Sequence, residues 1–227
     1  MAARRAEKGA VIGRSWVGKV VECGENVAGG GGGGKGFSKG DWVYGLVPGG
    51  GGGAAKEFLV VERRWLAGCS APSGMGSPSG DEWMTLEDVA SLPLLGITAH
   101  RAVGSIPRGS RALVLLGGGA GGGEGGAGGG SDWGVGILAA QEMVSKGVVV
   151  VIQVVEEWGE EWVREAVAGD ESAEGGRRRR KGLEVKVGEA VEVVNGEHEG
   201  SFEFVLDCEG GRRVYDASRR VLGSGGL

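Results

Sequence analysis

The first third of the chain carries short apolar runs separated by glycine and polar residues. Runs at Val17 to Val21 and Asp41 to Val47 have the length and composition of β-strands, and Phe58 to Val61 continues in the same style. Pro72 to Gly80 is rich in turn-forming residues and ends this pattern. The sequence therefore predicts a small β-rich region at the start.

Two helices are predicted next. Thr85, with acidic residues two and three positions later, is typical of a capped helix start, and the apolar positions that follow run toward Pro93. A second helix is predicted over Ile97 to Val103. The chain is therefore expected to form two separate helices, the first of which ends near Pro93.

The remainder alternates between buried-type strands and amphipathic helices. Strands followed by helices in this order favour right-handed crossovers and a parallel sheet, and the chain is therefore predicted to be an α/β protein in this part. The predicted elements are strand Ala112–Leu116, helix Gly134–Ser145, strand Val148–Val155, helix Glu156–Val167, strands Leu183–Val187 and Phe202–Asp207, and helix Val214–Leu222.

Glycine changes this picture locally, because it supplies 52 of the 227 residues. The excess is concentrated at Gly29 to Gly34, Gly49 to Gly53 and Gly117 to Gly130. These tracts lack side chains from which to build a core, and they lack the three-residue period of collagen. We interpret them as glycine-rich loops inserted into a globular framework.

Charge gives no sign of a nucleic-acid or membrane partner. The formal net charge is −5, and the one basic run, Arg177 to Lys181, follows the acidic stretch Gly169 to Glu174. No apolar segment approaches the roughly 20 residues of a membrane span, and the charged start, Met1 to Lys8, does not resemble a signal peptide. The chain is expected to be cytoplasmic.

Cysteine and histidine provide no metal-binding pattern. Cys23, Cys69 and Cys208 are odd in number and widely spaced, so neither a disulfide framework nor a CxxC zinc pair is present. His100 falls in a predicted helix and His198 in a polar turn, where each is more often structural than a ligand. No zinc is expected.

The segment that carries chemistry follows the strand ending at Leu116. Gly134, Gly136 and Ala139 form a G-x-G-x-x-A pattern at the start of a helix. Backbone N–H groups at such a helix start bind pyrophosphate, and glycine lets the phosphate approach closely. Ala139 would allow the helix to pack closely on the sheet. The pattern therefore indicates a dinucleotide site.

Two alternatives to this interpretation stay open. Gly117, Gly119 and Gly122 match the pattern by chance, and the glycines could simply form a tight turn in another α/β protein. The loop from Gly117 to Trp133 is far longer than the roughly 2 to 6 residues usual for this turn, and it is partly acidic. Either this loop folds outward, or the phosphate site is damaged.

Five ordered blocks make the chain resemble the medium-chain dehydrogenase/reductases, particularly their zinc-independent quinone-reductase-like branch. The second block, FSKGDWVYGL, is similar to the family pattern F-x-x-G-D-x-V-x-G, and the fourth, GVGILAAQ, to G-V-G-x-x-A-x-Q. The blocks are Gly13–Val27, Phe37–Leu46, Leu86–Val103, Gly134–Gln141 and Phe202–Gly211.

The resemblance implies a partial GroES-like β-barrel domain over residues 1–96, followed by a partial Rossmann-like domain over residues 97–227. It also implies NADPH, with NADH as an alternative, and hydride transfer to an activated alkene, quinone or carbonyl. Arg14 and Ser15 stand where the zinc-dependent branch places His and Glu, which again argues against zinc. Compared with the family, strands are expected to be missing at both ends.

Cofactor roles follow partly from the residues and partly from the resemblance. Thr98 matches a family position near the nicotinamide, and Gln153 occupies the place where an acidic residue would grip the ribose. Asp207 ends a strand, where open α/β sheets bind ligands. The cofactor-binding candidates are Gly134, Val135, Gly136, Thr98, Gln153 and Asp207; no catalytic residue is assigned.

Three hypotheses for function follow. The first is an NADPH-dependent oxidoreductase acting on a small molecule. The second is a catalytically inactive binding or scaffold protein that retains the fold, because the phosphate loop is expanded. The third is a gene fragment that does not fold alone. The sequence leaves the substrate and the oligomeric state undetermined.

Overall fold

In a computed structural model, residues 13–24, 36–48, 53–69, 85–116, 133–155, 157–168 and 182–223 are described. The glycine tracts predicted to be loops lie largely outside them, as does the turn-rich segment 72–80. Contacts divide the chain into two compact units, Met1–Ile97 and Thr98–Leu227. Within the described ranges, no helix is long and apolar enough to cross a membrane.

The first unit contains a three-stranded antiparallel sheet in the order β1-β2-β3. Its strands are β1 (Ser15–Lys19), β2 (Trp42–Leu46) and β3 (Leu66–Gly68), and a short 3-10 turn, Arg63–Trp65, leads into β3. The expectation of a strand at Phe58 to Val61 is wrong. This segment is irregular, and Val60 is fully exposed, because it pairs with none of the described strands.

Gly45 in β2 lies in close contact with the backbone of Trp65 and Leu66. A Cβ atom there would come within 2.2 Å of the Trp65 carbonyl oxygen and 3.0 Å of the Trp16 ring. A backbone oxygen cannot move aside as a flexible side chain can. The register of β2 against β3, with Gly45 opposite Leu66, therefore depends on glycine at this position.

Helix α1 (Leu86–Val103) begins with a reciprocal cap. The Asp88 N–H donates to Thr85 Oγ1 at 3.2 Å, and the Thr85 N–H donates to Asp88 Oδ2 at 2.9 Å. Each side chain thus satisfies a backbone donor that the helix leaves unpaired. The hydrogen bond from the Thr85 backbone also lowers the pKa of Asp88. The predicted helix start at Thr85 is confirmed.

The predicted boundary at Pro93 is wrong, because α1 passes through Pro93 as one helix. Proline removes one backbone donor, but tertiary contacts compensate for this loss. Pro93 is buried, and the N–H of Leu94 donates to Ser15 Oγ on β1 at 3.2 Å. The side chain of a residue 79 positions away therefore supports α1 at the point where proline would be expected to break the helix.

The second unit contains a four-stranded parallel sheet in the order β6-β5-β4-β7, and the prediction of a parallel sheet is confirmed. Its helices include α4, which the sequence patterns did not predict because it is only six residues long. The elements are β4 (Arg111–Leu115), α2 (Trp133–Ser145), β5 (Val149–Val154), α3 (Glu157–Ala168), β6 (Leu183–Val187), α4 (Ala190–Asn195), β7 (Phe204–Asp207) and α5 (Arg212–Val221).

Two apolar clusters cover the two faces of this sheet. Alternate residues of a strand point to opposite faces, so Val114 joins one cluster and Leu113 the other. Helices α2 and α3 cover the face that contains Val114, and α4 and α5 cover the face that contains Leu113. Residues 112–116 are at most 1% exposed, so β4 is the centre of both clusters.

The carboxylate of Glu142 on α2 joins the end of α1 to α2. It accepts hydrogen bonds from His100 Nδ1 at 3.0 Å and from Lys146 Nζ at 2.5 Å. Lys146 also approaches the carbonyl oxygen of Val103, one of the last in α1. Burial raises the pKa of Glu142, but the hydrogen bonds from Lys146 and His100 outweigh it and hold the pKa below the ordinary value.

Gly45→Ala should destabilise the chain by roughly 3 kcal/mol, because its Cβ meets backbone atoms that have no free space into which to move. The measurement is the free energy of unfolding in urea. Gly18→Ala on the neighbouring strand is the control, since a Cβ at that position meets nothing within 4 Å. Equal stability of the two variants would contradict the close approach at Gly45.

Glu142→Gln should lower the free energy of unfolding by about 1 kcal/mol at neutral pH, through weakened bonds to His100 and Lys146. The folded-state pKa of Glu142 is lowered, so the stabilisation is present above the unfolded pKa and disappears as the pH falls through the folded value. The difference from wild type should therefore shrink below about pH 4.5, near the unfolded Glu pKa. A difference independent of pH would contradict this assignment.

Candidate functional site

The order of the parallel strands identifies one place on the second unit where a ligand is expected. The chain runs outward from β4 through β5 to β6 and then returns to β7 on the other side of β4. Open α/β sheets bind ligands at such a reversal, outside the carboxyl ends of the strands. We call this place the carboxyl edge; Leu115, Val154 and Asp207 end its three strands.

The first turn of α2 lies at the carboxyl edge. The helix begins at Trp133, so Gly134, Val135 and Gly136 occupy its first turn, where backbone N–H groups lack partners within the helix. A helix N-terminus of this kind attracts anions through these groups and through the helix dipole. The three residues predicted to bind pyrophosphate thus lie in the first turn of a helix, and their contact with a cofactor stays a prediction.

Gly136 also has a packing role that the sequence interpretation gave to Ala139 alone. A Cβ at Gly136 would lie 2.3 Å from Leu116 Cδ2 and 3.2 Å from Cys208 Sγ. Glycine therefore lets α2 lie directly against the end of β4. Ala139, one turn later, is fully buried in the same interface. Close packing of this helix on the sheet is typical of dinucleotide-binding folds. Here the packing of α2 on β4 holds the helix in place without any cofactor.

Asp207 supports the turn that follows β7. Its Oδ1 accepts the N–H of Glu209 at 3.0 Å and the N–H of Gly210 at 2.7 Å. The next residue, Cys208, donates its N–H to the carbonyl oxygen of Leu115, which extends the pairing of β4 and β7. Asp207 is exposed at the carboxyl edge, as predicted; its role toward a cofactor stays a prediction.

Three carboxylates bring negative charge to this turn. Burial raises the pKa of Glu209, and the nearby carboxylates of Glu189 and Asp207 raise it further. Sequence reasoning missed Glu209, which lies two residues after Asp207. It also missed Glu189, whose proximity to Glu209 depends on the return of the chain to β7. Repulsion between these carboxylates and a phosphate group would weaken the binding of that group.

Gln153 and Thr98 have different surroundings. The Gln153 side chain is fully buried, and its Nε2 donates to the Gly188 carbonyl oxygen at 2.6 Å, which ties β5 to the turn after β6. Thr98 is exposed on α1, next to Ala99, which packs in the core of the second unit. For both residues, a contact with the cofactor stays a prediction.

An aromatic pair lies beside the start of α2. The rings of Trp133 and Trp162 are 5.7 Å apart and tilted by 38°. Gly159 on α3 allows this packing, because a Cβ there would lie 3.2 Å from the Trp133 ring and 3.5 Å from the Cβ of Val154 at the end of β5. The Trp133 ring therefore lies near the end of β5.

Metal ligands do not converge in the part of the chain that the structure describes. No group of three or more His, Cys, Asp or Glu side chains is suitably placed there for a metal ion. His100 instead contacts Glu142, as described above. The three cysteines are present as free thiols.

The fold and this edge define the class: an α/β protein with a Rossmann-like sheet. The sequence matches no protein-family model, and no curated protein matches it significantly. Solved structures do match. An alcohol dehydrogenase superfamily protein from Novosphingobium aromaticivorans is 25% identical with a TM-score of 0.57, covering 92% of this chain and 51% of its own.

Two further solved structures match the chain. The quinone oxidoreductase from Coxiella burnetii is 19% identical with a TM-score of 0.61, and the match covers 95% of this chain and 53% of that one. E. coli K-12 YhdH with bound NADPH is 17% identical with a TM-score of 0.59, and the match covers 98% of this chain and 57% of that one.

These matches confirm the resemblance inferred from the sequence blocks. The chain has the fold of the medium-chain dehydrogenase/reductases, in which a GroES-like domain is followed by a Rossmann-like domain. The small antiparallel sheet corresponds to the first domain and the parallel sheet to the second. The chain spans about half the length of the structures that it matches.

Gly136→Ala should lower the free energy of unfolding by about 1 to 3 kcal/mol, because its Cβ overlaps Leu116 Cδ2. Adding Leu116→Val removes that carbon and should recover part of the loss. The measurement is a double-mutant cycle in urea, with Leu116→Val alone as the control. Strictly additive losses would show that the two positions do not touch.

Proposed function

We propose that this chain binds a nicotinamide dinucleotide, NADPH in preference to NADH, at the carboxyl edge and belongs to a zinc-independent oxidoreductase. The observation that carries the proposal is the start of α2 beside the ends of β4 and β7, with Gly136 packed on Leu116. A neighbour of the same fold was solved with NADPH bound, which supports this cofactor.

The residues present fit such a cofactor at the level of the backbone. In the proposed complex, N–H groups of Gly134, Val135 and Gly136 bind the pyrophosphate, and Thr98 contacts the nicotinamide ring. When bound, the nicotinamide supplies a hydride for an activated alkene, a quinone or a carbonyl. The protein contributes mainly orientation, since no described side chain is assigned as a general acid.

A binding or scaffold protein that retains the fold is the second candidate. It is favoured by the carboxylates of Glu189, Asp207 and Glu209, which oppose phosphate at the carboxyl edge. It is favoured also by Gln153, whose side chain is buried against Gly188 and directed away from solvent. The two candidates differ in whether NADPH binding leads to turnover.

Glu209→Gln should strengthen NADPH binding by about two- to fivefold, because it removes a charge that repels phosphate at the carboxyl edge. Quenching of tryptophan fluorescence measures the binding, with Trp133 close to the start of α2. Glu199→Gln is the matched control: it removes the same charge from an exposed turn before the amino end of β7. The gain should diminish in high salt.

The titration decides between the candidates when it is combined with an assay of NADPH consumption across quinones and enones. Saturable binding with turnover supports the oxidoreductase. Saturable binding without turnover across a broad panel favours the non-catalytic protein. A folded chain that binds neither NADPH nor NADH contradicts the dinucleotide site itself.

A further inference from the structure

The first unit contains a cavity lined only by its own residues. It has a volume of about 530 Å³ and is lined by residues of β2 and β3, by the 3-10 turn and by the middle of α1. Sites for small organic molecules commonly hold roughly 300 to 1,000 Å³. Its walls are mostly apolar or aromatic and include Tyr44, Leu46, Trp65, Leu92, Pro93 and Ile97.

The walls of this cavity are held in place by contacts within the first unit. Tyr44 and Leu46 share one face of β2, which is paired on both sides in the sheet. The close approach at Gly45 fixes the turn that carries Trp65, and the bond from Leu94 to Ser15 fixes α1 on β1. The cavity is therefore formed before any ligand arrives.

The side chains of Arg64 and Tyr44 are the polar side chains among the residues that line this cavity. Arg64 pairs with Glu62 at 2.9 Å and lies over the Trp65 ring at 5.6 Å, so its charge is already matched. Tyr44 is different: none of the residues that the structure describes forms a hydrogen bond with its hydroxyl. Tyr44 lines a mostly apolar, aromatic cavity, so its O–H favours a ligand with one acceptor oxygen.

We propose that this cavity is a binding site for a flat aromatic molecule that carries one acceptor oxygen, with an aryl ketone as the simplest example. The ring lies against Trp65, which is 37% exposed, and against the apolar side chains of Leu92 and Ile97. The Tyr44 hydroxyl donates to the ketone oxygen. The site does not depend on the proposed dinucleotide function.

The test compares two ligands of the same shape. Equilibrium dialysis of the full chain measures binding of 2-acetylnaphthalene and of 2-isopropenylnaphthalene, in which a methylene group replaces the ketone oxygen. We expect saturable binding of both, with the ketone bound about five- to tenfold more tightly through one hydrogen bond. Tyr44→Phe should abolish this preference and leave binding of the hydrocarbon unchanged.

Leucine substitutions at two glycines test whether the ligand occupies this cavity. A Cβ at Gly96 on α1 meets nothing within 4 Å, and Gly96 lines this cavity, so Gly96→Leu should weaken binding about tenfold or more. Gly18→Leu is the control. A Cβ at Gly18 also meets nothing within 4 Å, but Gly18 lines a different cavity of about 460 Å³ beside Trp16 and Phe37.

Circular dichroism and the unfolding midpoint verify that each variant is folded before binding is compared, and Gly96→Ala provides a smaller obstruction in the same place. Failure of the folded wild-type chain to bind either ligand saturably overturns the proposal. Equal losses in Gly96→Leu and Gly18→Leu overturn it as well, because the ligand would then bind elsewhere. Because no dinucleotide is present, these outcomes leave the proposed function untouched.

Discussion

The enclosure of β4 on both faces is the constraint on which the rest of the second unit depends. Residues 112–116 are almost completely excluded from water, so helices must cover both sides of the strand. Neighbouring strands on both edges pair with its backbone. The reversal of the chain beside β4 then creates the carboxyl edge, so the candidate site is a consequence of how this strand is buried.

Close approach at single glycines recurs in both units and has different consequences. At Gly45 the obstacle is the backbone of Trp65, and the contact shapes a cavity wall. At Gly136 the obstacles are Leu116 and Cys208, and the contact places the N-terminus of α2 beside the strand ends. Glycine is so common in this chain that composition cannot identify these two positions. The atoms that a Cβ would meet at each of them distinguish them from the other glycines.

Periodicity predicted the helices and strands whose burial follows from their own sequence. The run at residues 112–116 is apolar throughout, as a strand buried on both faces must be, and the pattern at residues 134–145 is helical. The sequence pattern gave wrong predictions where the local structure depends on contacts with residues distant in the chain. Pro93 lies inside a helix supported by Ser15, and Phe58 to Val61 has the composition of a strand but no described partner strand.

The sequence by itself determined the α/β class, the parallel sheet and the glycine-containing helix start, because these follow from local periodicity and from backbone chemistry. Only the tertiary structure decided what surrounds that helix start. It brings Cys208 against Gly136, places Glu189 near Glu209, and buries the amide of Gln153 against Gly188. These neighbours come from segments far apart in the chain, and their distances are set by how the strands pair rather than by their order in the sequence.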